Sequence, residues 1–240
     1  MQQPSLIDQY VAAALAGNRI NCRTLIQQQS TQLDDPAALY QELLWPAMER
    51  IDKLYRSDRI NAATEHLATR INRSVADQLQ LRLRQSCSNG KRIVVMCADG
   101  EPEELGAQMC ADLLESQGWE VYFLGGGVPN DEVLTLVGQL TPAVLLIFGT
   151  QPTGVPEVRK MIEHIRDIGV NPTMNILVSG GVFNRAQGLW KEVGADLYAS
   201  SAFEALPLVE ESPPRIPTIR PAGAPKKRRR RRRNAVLQEA

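Results

Sequence analysis

Residues 92–98 read Arg92-Ile-Val-Val-Met-Cys-Ala98, an unbroken apolar run rich in β-branched side chains. A strand with one wet face alternates polar and apolar residues; a run without alternation is what a strand buried on both faces requires. From this strand the pattern extends downstream. The spacing predicts a helix over about Glu103–Gln117, a strand over Glu120–Leu124, a helix over Asp131–Gln139 and a strand over Ala143–Gly149. A helix over Pro156–Ile168, a strand over Asn175–Ser179, a helix over Asn184–Val193 and a short strand over Asp196–Ala199 complete it. Strand and helix in strict alternation predict an α/β fold: a flavodoxin-like, five-stranded parallel sheet covered by helices on both faces.

Upstream, the first 86 residues contain no strand-like run and read as four helices. Leu6–Ala16 is the first and is stopped by Gly17-Asn18; the second covers about 20–30. Asp34-Asp35-Pro36 is a start signal, an acidic N-cap followed by proline. After it Leu39, Leu43, Leu44, Met48, Ile51 and Tyr55 recur at helical spacing. A long fourth helix follows from about Ile60 to Arg84, with Leu67, Ile71, Val75, Leu79 and Leu83 on one stripe. Four helices with short connections predict a small bundle. The chain therefore divides into a helical bundle (1–86), an α/β domain (87–211) and a proline-rich, basic tail without fixed structure (212–240).

Composition narrows the function classes. No apolar stretch approaches the ~20 residues that span a bilayer, and Met1–Leu15 has no basic cluster of the secretory kind. Cys22, Cys87, Cys97 and Cys110 show no C-x-x-C spacing, so neither a zinc site nor a disulfide framework is expected, and the cytoplasm is the default location. The net charge of zero hides an asymmetry. Lys226, Lys227, Arg228, Arg229, Arg230, Arg231, Arg232 and Arg233 are eight contiguous cations; without them residues 1–225 hold 19 basic and 26 acidic residues, a balance of 19 − 26 = −7. Such a run contacts phosphates and releases counterions. With no aromatic residue interleaved it would not read sequence. Its expected partner is nucleic acid bound non-specifically, with an acidic protein or anionic lipid as alternatives; a solvated tail is the plainer reading.

In a parallel α/β sheet, ligands sit outside the carboxyl ends of the strands. The loops there are rich in glycine: Ala98–Gly106, Gly125–Pro129, Gly149–Thr153 and Gly180–Asn184. Each alone is also what a tight β–α turn needs. Together on one sheet edge they point to backbone approaching a bulky ligand. None has phosphate-loop spacing, and no G-x-G-x-x-G follows a strand, so nucleotide phosphate is not favoured. Nucleophile–base pairs and metal-ligand clusters are missing as well, and no catalytic role is expected of this chain alone.

Three segments carry a family resemblance: Gly100-Glu101-Pro-Glu103-Glu-Leu-Gly106 after the first strand, Gly118-Trp-Glu-Val-Tyr-Phe-Leu124-Gly125-Gly-Gly-Val128-Pro129, and Gly180-Gly181 after the fourth strand, all behind a helical bundle. The chain resembles the cobalamin-binding modules of methionine synthase, corrinoid methyl carriers and cobalamin-dependent light-sensing repressors. The bundle is similar to the cap of the light sensors, in which an aromatic residue, nine residues and Glu-His face the upper side of the ligand; here these are Tyr55, Glu65 and His66. The resemblance also implies contacts from Asp99, Gly100, Glu101, Gly106, Leu124, Gly125, Val128, Phe148, Thr150, Gly180 and Gly181. His164 falls on a sheet-covering helix and reads as solvated.

Two departures stand out. Glu103 occupies the position of the histidine that ligates cobalt from below, and a carboxylate is a poor substitute for imidazole there. Phe148 stands where the family has a serine lining the pocket for the nucleotide tail. The resemblance thus implies cobalamin (adenosylcobalamin or methylcobalamin) held without a protein histidine below it. Another tetrapyrrole, or loss of the ligand, is the alternative. The expected function is a non-enzymatic sensor, light-responsive and acting on transcription. The alternatives are a corrinoid carrier subunit of a methyltransferase system and a ligand-free interaction scaffold. Self-association fits any of these.

Overall fold

The computed structural model describes residues 4–30, 35–98 and 104–217. Asp99, Gly100, Glu101, Glu103 and the basic run Lys226–Arg233 lie outside the described residues. Four helical pieces precede the first strand in the pattern expected. Helix α1 spans Leu6–Leu15, α2 Arg19–Ser30, and α5 Ala62–Gln80. Between α2 and α5, a short α3 (Ala37–Leu39) runs through a π-helical segment, Tyr40–Leu44, into α4 (Trp45–Arg56). The periodicity from Leu39 to Tyr55 predicted one regular helix and missed this widening. Pro46 accounts for it. Proline has no N–H to give the preceding turn and its ring crowds the carbonyl four residues back, so the helix relaxes to π spacing instead of breaking. The Leu44 carbonyl accepts from Asn72 Nδ2 at 3.2 Å, and Asn72 Oδ1 accepts from Tyr10 at 3.0 Å. That buried chain ties α1, the π segment and α5 together.

The sheet follows. Strands β1 (Arg92–Cys97), β2 (Glu120–Gly125), β3 (Val144–Phe148), β4 (Asn175–Ser179) and β5 (Leu197–Ala199) are all parallel, in the order β2-β1-β3-β4-β5. This is the flavodoxin-like order, with its switch point between β1 and β3. The intervening helices are α6 (Glu104–Ser116), α7 (Asn130–Leu140) and α8 (Val155–Ile168). Where the sequence suggested one helix over Asn184–Val193, there are two short ones, α9 (Gly181–Arg185) and α10 (Leu189–Glu192), because Gly188 takes a left-handed φ of 81°. A final helix not anticipated, α11 (Ala202–Glu211), is capped by Ser201.

The strands sort their side chains by parity. Ile93, Val95, Cys97, Val144, Leu146 and Phe148 share one core with α6, α11 and the cap. Val94, Met96, Leu145 and Ile147 share another with α7 and α8. The bundle therefore docks on the α6 side of the sheet. At this seam Tyr40 Oη lies 2.9 Å from the Ala76 carbonyl and 3.1 Å from Asp112 Oδ2, and Gln108 donates to Asp77 at 2.6 Å. Asp112 is 4% exposed, and burial raises its pKa to about 7.

Residues 212–217 carry no helix or strand, yet they hold a fixed place. The Arg215 N–H donates to Thr173 O at 2.9 Å, its side chain bonds Asp196 at 3.0 Å, and Asn175 donates to Pro213 O at 2.9 Å. Asp196 is itself paired with Arg166 and accepts from the Ile176 N–H. This strap lies at the amino end of β4, where the expectation was a chain without fixed structure.

Candidate functional site

The carboxyl edge of the sheet and the cap enclose a cavity of about 590 Å³. Its floor is apolar. Phe148, at the end of β3, belongs to the parity class that faces α6, so its ring lies across Gly106. A Cβ on Gly106 would come within 2.6 Å of Phe148 Cε1 and closer still to Cζ. Leu105 and Trp45 complete the floor; the Trp45 and Phe148 rings meet edge to face with centroids 6.2 Å apart. The Trp45 indole N–H is already committed to Glu49 at 3.0 Å.

The walls are polar. From the cap come Asp52, Tyr55, Arg56, Glu65, His66 and Thr69; from the sheet edge come Thr150, Gly180, Gly181 and Arg185. Glu65 accepts from Thr69 at 2.7 Å, and its second oxygen lies 3.7 Å from His66 Nε2. His66 is more than half exposed and Tyr55 is 41% exposed, so both stand at the rim. Opposite them Asp52 takes Arg56 at 2.8 Å on its own helix and Arg185 at 3.8 Å on α9. Arg185 also donates to the Thr150 carbonyl. Burial and the neighbouring Arg56 lower the Arg185 pKa, and Asp52 opposes them.

Seven of the expected residues meet in this cavity: Tyr55, Glu65, His66, Phe148, Thr150, Gly180 and Gly181. Four others do not line it. Gly106 lies beneath the Phe148 ring. Leu124 and Val128 pack partly buried against the α7–α8 core. Gly125, with φ 69°, is covered by the Glu104 carboxylate, which accepts from the Gly126 N–H at 2.7 Å and pairs with Arg73 of α5 at 3.3 Å. The clasp from Arg73 through Glu104 to the glycine loop, like the lining roles of Trp45, Asp52 and Arg185, was not expected. Pro46, next to Trp45 at the start of α4, was a signal for that residue alone. His164, on α8, is outside the cavity. Among the described residues there is no cluster of metal ligands, and no helix is long and apolar enough to cross a membrane.

A helical cap closed over the carboxyl edge of a flavodoxin-like parallel sheet defines a ligand-binding module of two halves, and the comparisons with known proteins match both. Family models described as B12 binding domain match residues 6–80 and 91–207, so the chain belongs to the B12-binding-domain family. Among curated proteins it is similar to dimethylamine corrinoid protein 1 of Methanosarcina acetivorans, 21% identical over 82% of this chain and 94% of that protein. It is also similar to the trimethylamine corrinoid protein of Methanosarcina barkeri, 23% identical over 73% of this chain and 82% of that protein. Among solved structures, the Methanosarcina barkeri monomethylamine corrinoid protein superposes with a TM-score of 0.74 at 15% identity, covering 85% of this chain and 96% of that one, which establishes the shared fold.

Proposed function

We propose that this chain is a corrinoid carrier: it holds a corrinoid between cap and sheet edge and presents it to a methyltransferase partner. The observation that carries the reading is the cavity itself, walled by cap residues on one side and by the ends of β3 and β4 on the other, in a chain that spans nearly the whole length of a corrinoid-protein relative. When bound, the corrinoid supplies a cobalt centre able to take up and release a methyl group. The chain's own residues supply the rest. Tyr55, Glu65 and His66 meet the ligand's upper face, and Asp52 with Arg185 joins cap to sheet domain across the mouth. The relatives favour the carrier over the light-responsive transcriptional sensor that the cap motif suggested.

The chain contains only two histidines, His66 at the cap side and His164 on α8. With Glu103 in the lower-ligand position, no protein imidazole is available below the cobalt. Titration with hydroxocobalamin should give a one-to-one complex with a shifted absorption spectrum. In its cobalt(II) form, nitrogen-15 labelling of the histidines should leave the electron paramagnetic resonance unchanged. His66→Ala should alter the spectrum while the fold survives. No spectral shift on titration would sink the corrinoid reading. Retained corrinoid together with a change in particle mass on illumination of the adenosylcobalamin complex would return the chain to the sensors.

The basic run is proposed as a phosphate-binding appendage. The strap at 212–217 roots the tail at the amino end of the sheet, opposite the cavity. Weak, sequence-independent binding to DNA is expected, with log K falling against log salt at a slope on the order of −5 to −7 if most of the eight charges meet phosphates. A chain ending at Pro225 should lose that binding and keep its corrinoid affinity. Equal DNA binding by the shortened chain would move the interaction to the folded body.

A further inference from the structure

At the carboxyl edge, glycine leaves room for a ligand to descend below the strand ends, and at three such positions, Gly106, Gly125 and Gly180, a protein atom fills the room, while Gly127 of the β2–α7 loop stays open. Phe148 fills it at Gly106 and Glu104 at Gly125. At Gly180, with φ 101°, the backbone of Gly149 closes in, its nitrogen 2.9 Å from where a Cβ would stand and its oxygen nearer. The remaining floor is Leu105 and Trp45, respectively 2% and 5% exposed, with the one polar hydrogen of Trp45 already bonded to Glu49. A complete corrinoid carries beneath its ring a nucleotide arm with a phosphodiester and a base. To be buried, that arm needs a slot between strand end and helix and donors or cations for its phosphate, since an unpaired charge in an apolar floor is expensive. Among the described residues this floor offers neither; the cavity's two cations, Arg56 and Arg185, stand on its walls and are both paired with Asp52.

We propose that this chain binds corrinoids by the ring alone, excluding the nucleotide arm, so that its ligand class includes corrinoids that lack the arm altogether. The proposal rests on the corrinoid reading above and deepens it. Phe148 is the specificity-determining residue, since its ring fills the space over Gly106 between β3 and α6. A complete cobalamin would have to keep its nucleotide arm folded under its own ring, because Phe148 fills the space over Gly106 that could receive a displaced one.

The test compares two probes on the full chain, hydroxocobalamin and cobinamide, the latter with the ring and no nucleotide arm. The two dissociation constants should agree to within about fivefold, less than 1 kcal/mol apart. The cobalt(II) cobalamin complex should keep the superhyperfine coupling of the ligand's own base nitrogen. Cobalamin bound more tightly by more than that margin, or loss of the own-base coupling on binding, would overturn the proposal while leaving the corrinoid reading intact. If neither probe shifts its spectrum, the corrinoid reading falls and takes the proposal with it. A second measurement uses Phe148→Ser, checked for its fold by circular dichroism. Opening the floor should move the affinity ratio toward cobalamin; a folded variant with the ratio of the parent would also overturn the assignment of Phe148. The parent comparison stands alone if that variant does not fold.

Discussion

Gly106→Ala should destabilise the chain by about 3 kcal/mol, the upper part of the range for an overpacked core. The Cβ would be driven into the Phe148 ring, within 2.6 Å of Cε1. Relief is limited, because the ring is packed edge-on against Trp45, itself in edge contact with Phe203, and can yield only toward the cavity whose floor it forms. Phe148→Ala alone should cost about 3–5 kcal/mol through the cavity it leaves. The two costs should not add. Once the ring is gone the alanine methyl has space, so the double variant should unfold at nearly the same urea concentration as Phe148→Ala. Their coupling should reach the upper end of the 0.5–3 kcal/mol seen for residues in contact. Additive losses in the double variant, or a Gly106→Ala chain as stable as the parent, would show that the ring does not occupy the notch.

The second large effect is set by Asp112. This carboxyl is buried at the seam between cap and sheet domain, and desolvation is the main reason its pKa rises from 3.8 to about 7; Asp77 and Glu115 push the same way, and the hydrogen bond from Tyr40 opposes them. The folded state therefore holds a proton that the unfolded chain gives up near pH 4. Stability must fall as pH rises between those two values and stay lower above pH 7. At 1.36 kcal/mol per unit, the loss is on the order of 4 kcal/mol. The geometry agrees with a protonated acid. The Tyr40 hydroxyl has one hydrogen, and if that goes to the Ala76 carbonyl at 2.9 Å, the 3.1 Å contact to Asp112 needs a hydrogen from the acid. Asp112→Asn supplies that donor at every pH. It should match the parent near pH 4 and exceed its stability at pH 8 by most of the stated amount. Comparing the two chains cancels the contributions of other groups, such as Asp8, whose pKa is lowered to about 2 by Ser5 and Arg50 and whose slope runs the other way. Parallel stability curves for the two proteins would remove Asp112 from this role.

Local pattern carried most of the fold. Arg92–Ala98 lacks alternation because its strand is covered on both faces, and β1 occupies Arg92–Cys97 inside the sheet, between β2 and β3. Asn175–Ser179 ended where its apolar run ended. Element boundaries slipped where one residue redirected the chain without changing its hydrophobic content: Pro46 at the π segment, and Gly188 between α9 and α10. Helix α11 was missed because Ala202–Glu211 contains Pro207, although it packs on α6 and β5 and buries Ala202, Ala205 and Val209.

For the site, the sequence by itself determined which edge of the sheet would be used, since that follows from connectivity; the roles of Tyr55, Glu65 and His66 came only from the family resemblance, because they stand on two helices, α4 and α5, whose docking no local period sets. The sequence also determined that only two histidines exist to meet a metal. The tertiary structure alone decided that the glycines are not equivalent. Gly180 and Gly181 border the cavity, whereas Gly106 and Gly125 are spent on packing against Phe148 and Glu104. It alone joined Asp52 to Arg185, which stand 133 positions apart on different domains. The reason is physical. A residue's parity and helical phase are set by its neighbours along the chain, but what fills the space above a glycine, or sits opposite a carboxylate, is set by how whole elements dock, and docking is a property of two surfaces at once.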